Sequence, residues 1–493
     1  MLTHLPAIFL MISLISSVII CAVSNRKIAS FLYQILAIFA VCTALTILLS
    51  LTSKNPSFIY SFGGWKKGVG IDISVDYLSA FFLTMASVVF FITSEGIVKC
   101  VKIKTNLFGF CALVFTGLIG LILTVDWFSF YVFLELTSIS LYVILTADYG
   151  DGKSYSSAFN YLVIGSVANI FILLGIFFIY SSTGTLNMAI TSKIIKSKTL
   201  SKDAIILMQT SYILIISGLV AKSALYPLHS WIMRCYINIP SVIAAFIASI
   251  VTKIAILNIY KISTIFGYNF INTKLSYFII MICILCYLSI ILCSFGALFS
   301  KDLKTILSFS SMAQSGYMLL GIFSFNSNII SGVFLQMLAH SLAIAALFMI
   351  VGVIEKRFNY SVVPNTNNLQ YCLQNETLLK FAFVVSLFSV IGFPMTLGFI
   401  AKWYMLTGFY MSAKYLSFIV IIIGSGIGML YSWRLVEYLF FQDAIVKNGE
   451  SCEISFIKTS KTIKFVLFLV IVLIVLFSIF NANVMKVVDL ALH

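Results

Sequence analysis

The chain holds 493 residues, 61% of them apolar and 10% charged, with a formal charge of +15 and a mean hydropathy of +1.10. Soluble domains carry about 25% charged residues, so a soluble fold is excluded. The positive balance belongs to loops that orient membrane segments, not to a nucleic-acid surface. The ten cysteines are scattered, and Cys283 and Cys286 lie in an apolar run where cysteine acts as a small hydrophobe. No metal site is expected. The first apolar run lacks a basic leader and a small-residue cleavage site, so it is expected to stay as helix 1.

A bilayer-spanning helix needs about 20 predominantly apolar residues, and such runs predict about fourteen passes. They fall at 5–23, 28–52, 77–93, 106–125, 127–147, 157–180, 205–233, 239–262, 275–299, 303–324, 328–353, 377–413, 415–441 and 463–482. The expected fold is an all-α polytopic membrane protein. The runs at 205–233 and 377–413 exceed one crossing, and each contains a proline, Pro227 and Pro394. Proline removes a backbone donor and clashes with the preceding turn, which predicts two broken helices. Paired breaks in corresponding halves point to a transporter-type inverted repeat. The expected organisation is therefore helices 1–3 over 1–105, one repeat over 106–262, a second over 275–441, and a final helix over 463–482. Lysine and arginine placement favours an external amino terminus, with 191–203 outside and the 443–461 loop inside.

Interior charges carry the functional reading. Of sixteen acidic residues, Glu135 alone is placed midway along a pass, in "FLELTSISLY". Three basic residues, Lys222, Lys253 and Lys402, sit well inside apolar runs. Each mid-membrane charge costs about 2.5–3.5 kcal/mol, so the four together cost roughly 10 kcal/mol. A whole domain has a net stability of about that size. Retaining such groups makes function the default. The plainer alternatives are snorkelling of Lys253 or Lys402 to the interface, or an inert Glu135–Lys222 pair that fixes helix packing. Lysine shifts its proton affinity readily when desolvated, and a nearby carboxylate shifts it back, so alternating groups can pass a proton along. His229 and His340 are the membrane-embedded histidines; each is either a relay group near neutral pH or a hydrogen-bonded core residue. Together they also raise a bis-histidine haem as a remote alternative. At the second break, Gly398 has no side chain and is expected to leave room for water beside Lys402.

The stretch "GLVAKSALYPLHSW" resembles the motif of the proton-translocating antiporter-like subunits, shared by Mrp-type multisubunit cation/proton antiporters and the membrane arm of respiratory complex I. "FLELTSISLYVIL", "SKDLKTILSFSSMAQSGYMLLG" and "FPMTLGFIAKWY" resemble further segments of that family, in order. "FGGWKKGVGIDISVDYLSAFF" is most similar to the D-type component of Mrp antiporters and the large complex I subunit. The resemblance covers roughly residues 60–440 and implies a fourteen-helix inverted-repeat fold whose proton path runs through Glu135, Lys222, Lys253 and Lys402. It implies that Glu135 pairs with Lys222, that Lys253 connects onward, and that Lys402 exchanges with one side of the membrane. The sequence departs from the pattern at Met233 and Arg234, which replace a Pro-Asp pair, and at Ile344, where some relatives carry a lysine.

These features predict the proton-translocating subunit of a multisubunit cation/proton antiporter, similar to the D-type component of the Mrp assembly. The alternative is a proton-pumping subunit of complex I, and the remote one a non-transporting scaffold. No nucleotide, flavin, iron–sulfur or quinone motif is present, so no cofactor is expected. The expected partners are other membrane subunits, protons, Na⁺ or K⁺ and the lipid bilayer, without nucleic acid. The expected location is a bacterial inner membrane.

Overall fold

The computed structural model describes residues 2–51, 56–68, 70–100, 104–147, 153–197, 201–357, 369–374, 376–441 and 459–492. Apart from one β-hairpin, the elements among them are helical. In chain order they are α1 (Leu5–Ala22), α2 (Arg26–Ser50), β1 (Ser57–Ser61), β2 (Asp72–Asp76), α3 (Tyr77–Cys100), α4 (Asn106–Leu123) and α5 (Trp127–Thr146). Next come α6 (Lys153–Thr183), α7 (Met188–Lys196), α8 (Lys202–Lys222), α9 (Ser230–Asn238), α10 (Ser241–Phe266), α11 (Tyr268–Lys274), α12 (Ser276–Phe299) and α13 (Leu303–Ile322). The chain continues through α14 (Ser327–Arg357), α15 (Leu369–Cys372), α16 (Thr377–Ile391), α17 (Leu397–Met411), α18 (Tyr415–Phe440), α19 (Lys461–Ile479) and α20 (Asn481–Leu492).

Twelve of the described helices are long and apolar enough to cross a membrane. The serine-rich α13 and the split pair α16–α17 fall outside that set by composition or length, and they occupy the tenth and twelfth predicted passes. The hairpin, α7, α11 and α20 were not foreseen. β1 and β2 pair antiparallel, and bridges from Ile73 to Thr124 and from Asp126 to Asn187 gather the hairpin and the ends of α4, α5 and α7 on one face. Polar caps start the helices: Asp126 Oδ1 accepts from Ser129 N at 2.7 Å, and Asn187 Oδ1 from Ala189 N and Ile190 N.

Burial is graded outward from two helices. The apolar window of α14 is 100% buried and that of α10 is 94%, against 39% for α1, α2, α6, α12 and α19. The outer helices turn Phe31, Phe159, Phe177 and Phe465 outward, as a lipid-facing surface requires. The two inner helices instead bury polar side chains, Lys253 and Asn258 on α10 and Gln336, His340 and Ser341 on α14. α14 packs against α10, α13, α16 and α17, so it is the axis on which the interior polar groups meet.

Both expected breaks are present. The first lies between Lys222, the last residue of α8, and Ser230, and Ala224 within it has φ +59°. Trp231 Nε1 donates across it to Ala221 O at 3.0 Å. The second lies between Ile391 and Leu397. Gly392 (φ +85°) ends α16 in the left-handed cap that glycine adopts without strain. At Gly398 the expectation fails: an added Cβ would lie 1.8 Å from Ser389 O. The glycine is there because α16 backbone occupies that space, not to admit water.

Candidate functional site

Glu135 is the ninth residue of α5 and half-buried. Tyr131, one turn earlier, donates its hydroxyl to Glu135 Oε1 at 2.8 Å. Ser138, one turn later, accepts from Lys222 Nζ at 2.8 Å. Glu135 is within electrostatic reach of Lys222, yet the two form no direct ion pair; the lysine rests on the hydroxyl one turn along. A cavity of about 40 Å³ adjoins them, lined by Thr137, Ser138, Tyr161, Lys222, Trp231 and Asn258 among apolar neighbours. That is room for about two or three waters.

The cavity touches α10 through Val251, Ile254, Ala255 and Asn258, an i, i+3, i+4, i+7 stripe. Lys253 lies roughly 150° around the helix from that stripe, at 3.6 residues per turn. It is 1% exposed, and its Nζ donates to Ala248 O at 2.6 Å and Thr252 Oγ1 at 3.3 Å. It therefore does not snorkel. His340, on the facing α14, is completely buried, and neither ring nitrogen has a hydrogen-bond partner. Lys253 and Lys402 both act on it electrostatically, and α14 packs against α10 and α17, the helices that carry them.

Lys402 belongs to α17, yet its Nζ reaches back to Ile391 O, the last residue of α16, at 2.6 Å. Ser425 Oγ on α18 is 3.3 Å away, and the Tyr317 ring lies beneath, 4.9 Å from Nζ to centroid. Exposed carbonyls and the negative dipole end of a helix favour a cation there, and the ring face adds to it. At 5% exposure Lys402 does not snorkel either.

The structure thus brings Lys253, His340 and Lys402 to one axis, and Glu135, Ser138 and Lys222 to a separate cluster on the other face of α10. His229 joins neither: it is the N-cap of α9, stacked on Tyr226 at 5.1 Å. The two histidines have different neighbours and do not come together. Arg234 is exposed and Ile344 is completely buried.

Several partners escaped the sequence reading because it weighed ionisable groups alone. Ser138, Asn258, Gln314, Gln336 and Tyr317 are neutral. Their signal was polarity in the middle of apolar runs, with Gln336 one turn before His340. Glu95 falls beyond the predicted pass 77–93, but α3 runs on to Cys100 and includes it; its Oε1 accepts from Gln34 Nε2 at 2.6 Å. Lys304 and Glu355 form a buried ion pair at 2.5 Å. Lys304 also donates to the carbonyls of Ile237 and Ile239, and Glu355 accepts from Ser241 N, which ties the α9–α10 corner to α13 and α14.

A helical membrane protein with two broken helices and interior lysines in two separate clusters is the class this geometry defines. The family model "NADH:quinone oxidoreductase/Mrp antiporter, TM" matches residues 124–428, more than half of the chain, and the chain belongs to that family. It is 28% identical over 456 residues to the N-type component of the NADH-quinone oxidoreductase of Desulforudis audaxviator, covering 90% of this chain and 87% of the relative. It is 26% identical over 425 residues to the D-type component of the Na⁺/H⁺ antiporter of Alkalihalophilus pseudofirmus, covering 83% and 81%. A chain of the Mrp complex from a Dietzia species superposes with a TM-score of 0.88 at 20% identity, over 99% of this chain and 96% of that one.

Proposed function

We propose that this chain moves protons across a bacterial inner membrane as the D-type component of a multisubunit monovalent cation/proton antiporter. The observation that carries it is the state of the interior lysines. Lys222, Lys253 and Lys402 each donate to neutral oxygens and have no carboxylate in contact. An ammonium without a counter-charge answers to its hydration and to nearby charges, which suits a group that takes up and gives up a proton.

Glu135 and Ser138 offer Lys222 two resting places one turn apart on α5. On the hydroxyl the ammonium is held by a neutral acceptor; on the carboxylate it is held by an opposite charge. Swinging between them changes the proton affinity of Lys222 and drives transfer toward α10, where Asn258 faces the same cavity. Lys253 and His340 continue the path, and Lys402 exchanges with the other side or a partner subunit. The two breaks serve as the corresponding points of two inverted repeats, 106–262 and 275–441. The amino terminus lies outside, and the partners are the other membrane subunits of the assembly.

A second reading is a proton-pumping subunit of complex I, favoured by the 28% identity to an N-type component and by Ile344. The test is proton flux in vesicles holding the intact complex. Lys222→Ala, at matched assembly, is expected to abolish flux, and full flux in that variant would defeat the reading. Cation-dependent flux without NADH oxidation selects the antiporter; flux coupled to NADH oxidation selects complex I.

A further inference from the structure

Away from both lysine clusters, a groove of about 800 Å³ opens between the start of α12, the ends of α13 and α17, and the start of α18. Along α12 it is lined by Ser276, Ile279, Ile280, Cys283, Ile284 and Tyr287, a single helical stripe. From Ser276 to Ile284 that stripe runs about 12 Å inward from the helix end, at 1.5 Å per residue. Ile280 and Ile284, with Leu416 on the facing α18, are 55%, 50% and 61% exposed, so the groove is open sideways. Its length is apolar, and its polar groups, Asn272, Ser276 and Lys414, stand at the helix ends. The protein's own contacts hold the walls. The Tyr287 hydroxyl and Ser417 Oγ are 2.8 Å apart, Asn326 Nδ2 donates to Ser412 Oγ at 3.1 Å, and Lys414 Nζ donates to Ser324 O at 2.8 Å.

A groove open sideways in a bilayer fills with what the bilayer supplies. Its apolar length excludes a file of water, which needs polar partners along its course. Its polar end excludes a purely apolar filling. The chemistry that matches both is an amphiphile lying along α12 with its polar end beside Lys414. That lysine sets the sign of the polar end, because it is the one charged side chain among the described lining residues. An ammonium has three donors. The Ser324 carbonyl takes one and holds the head at the groove, where a freely snorkelling lysine would turn to water. Tyr277 and Tyr415, 87% and 56% exposed, flank the same end, as aromatic residues do at the level of lipid headgroups.

We propose that this groove binds one anionic phospholipid, its phosphate on Lys414 and an acyl chain along Ile280 and Ile284. Basic pockets between transmembrane helices take acidic headgroups in this way. On the topology proposed above, the lipid comes from the outer leaflet. The inference stands apart from the proton relay, since no residue of the groove belongs to it. A zwitterionic phospholipid offers the same phosphate, but its own attached cation offsets the attraction to Lys414. The groove therefore selects by headgroup charge, while the acyl chain contributes equally for either lipid.

The test uses the intact complex in vesicles of phosphatidylcholine and phosphatidylglycerol, with the native cysteines replaced and a fluorophore attached at Ile280→Cys. Quenching by brominated phosphatidylglycerol, compared with brominated phosphatidylcholine, reads which lipid occupies the groove. The anionic lipid is expected to be preferred about tenfold, the worth of one hydrogen bond to a charged group. A fluorophore at Phe177→Cys, on the exposed face of α6, is expected to show less than about twofold preference. Lys414→Gln should abolish the preference at position 280, and Lys414→Arg, which keeps charge and donors, should retain it. The arginine variant also shows that the fold survives substitution at this position. Ile284→Trp, filling the groove with Lys414 in place, should lower quenching by both lipids. Equal preference at positions 280 and 177, or a preference that survives Lys414→Gln, would overturn the proposal. So would a position 280 that neither brominated lipid quenches in the assembled complex, because a neighbouring subunit would then cover the groove.

Discussion

Lys402 of α17 caps the helix from which its own segment has broken away, donating to Ile391 O at 2.6 Å. The lysine is thereby fixed at a helix end, over the Tyr317 ring and beside Ser425. Its carbonyl and ring partners bind the ammonium without neutralising it. A group so held is positioned tightly and yet free to lose its proton when its surroundings change.

Two substitutions separate position from proton release. Lys402→Met keeps the stem against Tyr317 and removes the ammonium; Lys402→Arg keeps the charge but does not deprotonate. Both are expected to lower vesicle proton flux on the order of a hundredfold at matched assembly. An active arginine variant would mean that Lys402 serves as a fixed charge and not as a carrier.

Ser138 makes a sharper test of the Glu135–Lys222 cluster than either charged residue. Ser138→Ala removes the hydroxyl that holds Lys222 Nζ and leaves Glu135 as its remaining resting place on α5. Flux is expected to fall roughly ten- to a hundredfold, the worth of one hydrogen bond to a charged group. The loss should disappear in a Glu135→Gln background, where flux is already limited. Equal fractional losses in both backgrounds would show the two sites to be independent.

The docking of α19 should depend on pH through Glu376, the residue preceding α16. Its side chain is 6% exposed. It accepts from Arg357 Nη2 at 2.8 Å, Lys464 Nζ at 2.7 Å and Thr459 Oγ1 at 2.8 Å. Burial pushes the carboxyl upward, but the Lys464 and Thr459 hydrogen bonds outweigh it and hold the group below its ordinary value of 4.5. A carboxyl depressed on folding contributes stability that is complete above its unfolded value and is lost as pH falls through the folded one. Thermal stability of the solubilised protein is therefore expected to decline as pH is lowered below about 4.5, and Glu376→Gln to be less stable at neutral pH by about 2 kcal/mol. The variant should lose most of that acid decline. An unchanged acid limb would place its origin elsewhere.

Orientation is open to a direct measurement. Single cysteines at Ser197 and Ser460, in a background with the native cysteines replaced, are expected to differ in intact cells. An impermeant thiol reagent should label position 197 and spare 460. The reverse pattern would invert the topology. Residues 442–458 of the loop expected to lie inside fall outside the described residues, but Ser460 at the start of α19 reports on it.

The sequence by itself determined the membrane fold, the run of passes, both helix breaks and the four interior charges. Each of these rests on a local property. Apolar length sets a crossing, proline disrupts a helical turn, and a charge in an apolar run costs several kcal/mol wherever its neighbours lie. Tertiary structure alone decided who meets whom. It set Lys222 on Ser138 and not on Glu135, turned Lys253 to the opposite face of α10 from the Lys222 cavity, and brought Gln314 against Gln336. It also replaced the water expected beside Gly398 with the backbone of Ser389. Neutral polar side chains cost too little in sequence terms to stand out, and their partners come from helices far along the chain. Their pairing is a product of how α10, α13, α14 and α16 pack, which no local pattern encodes.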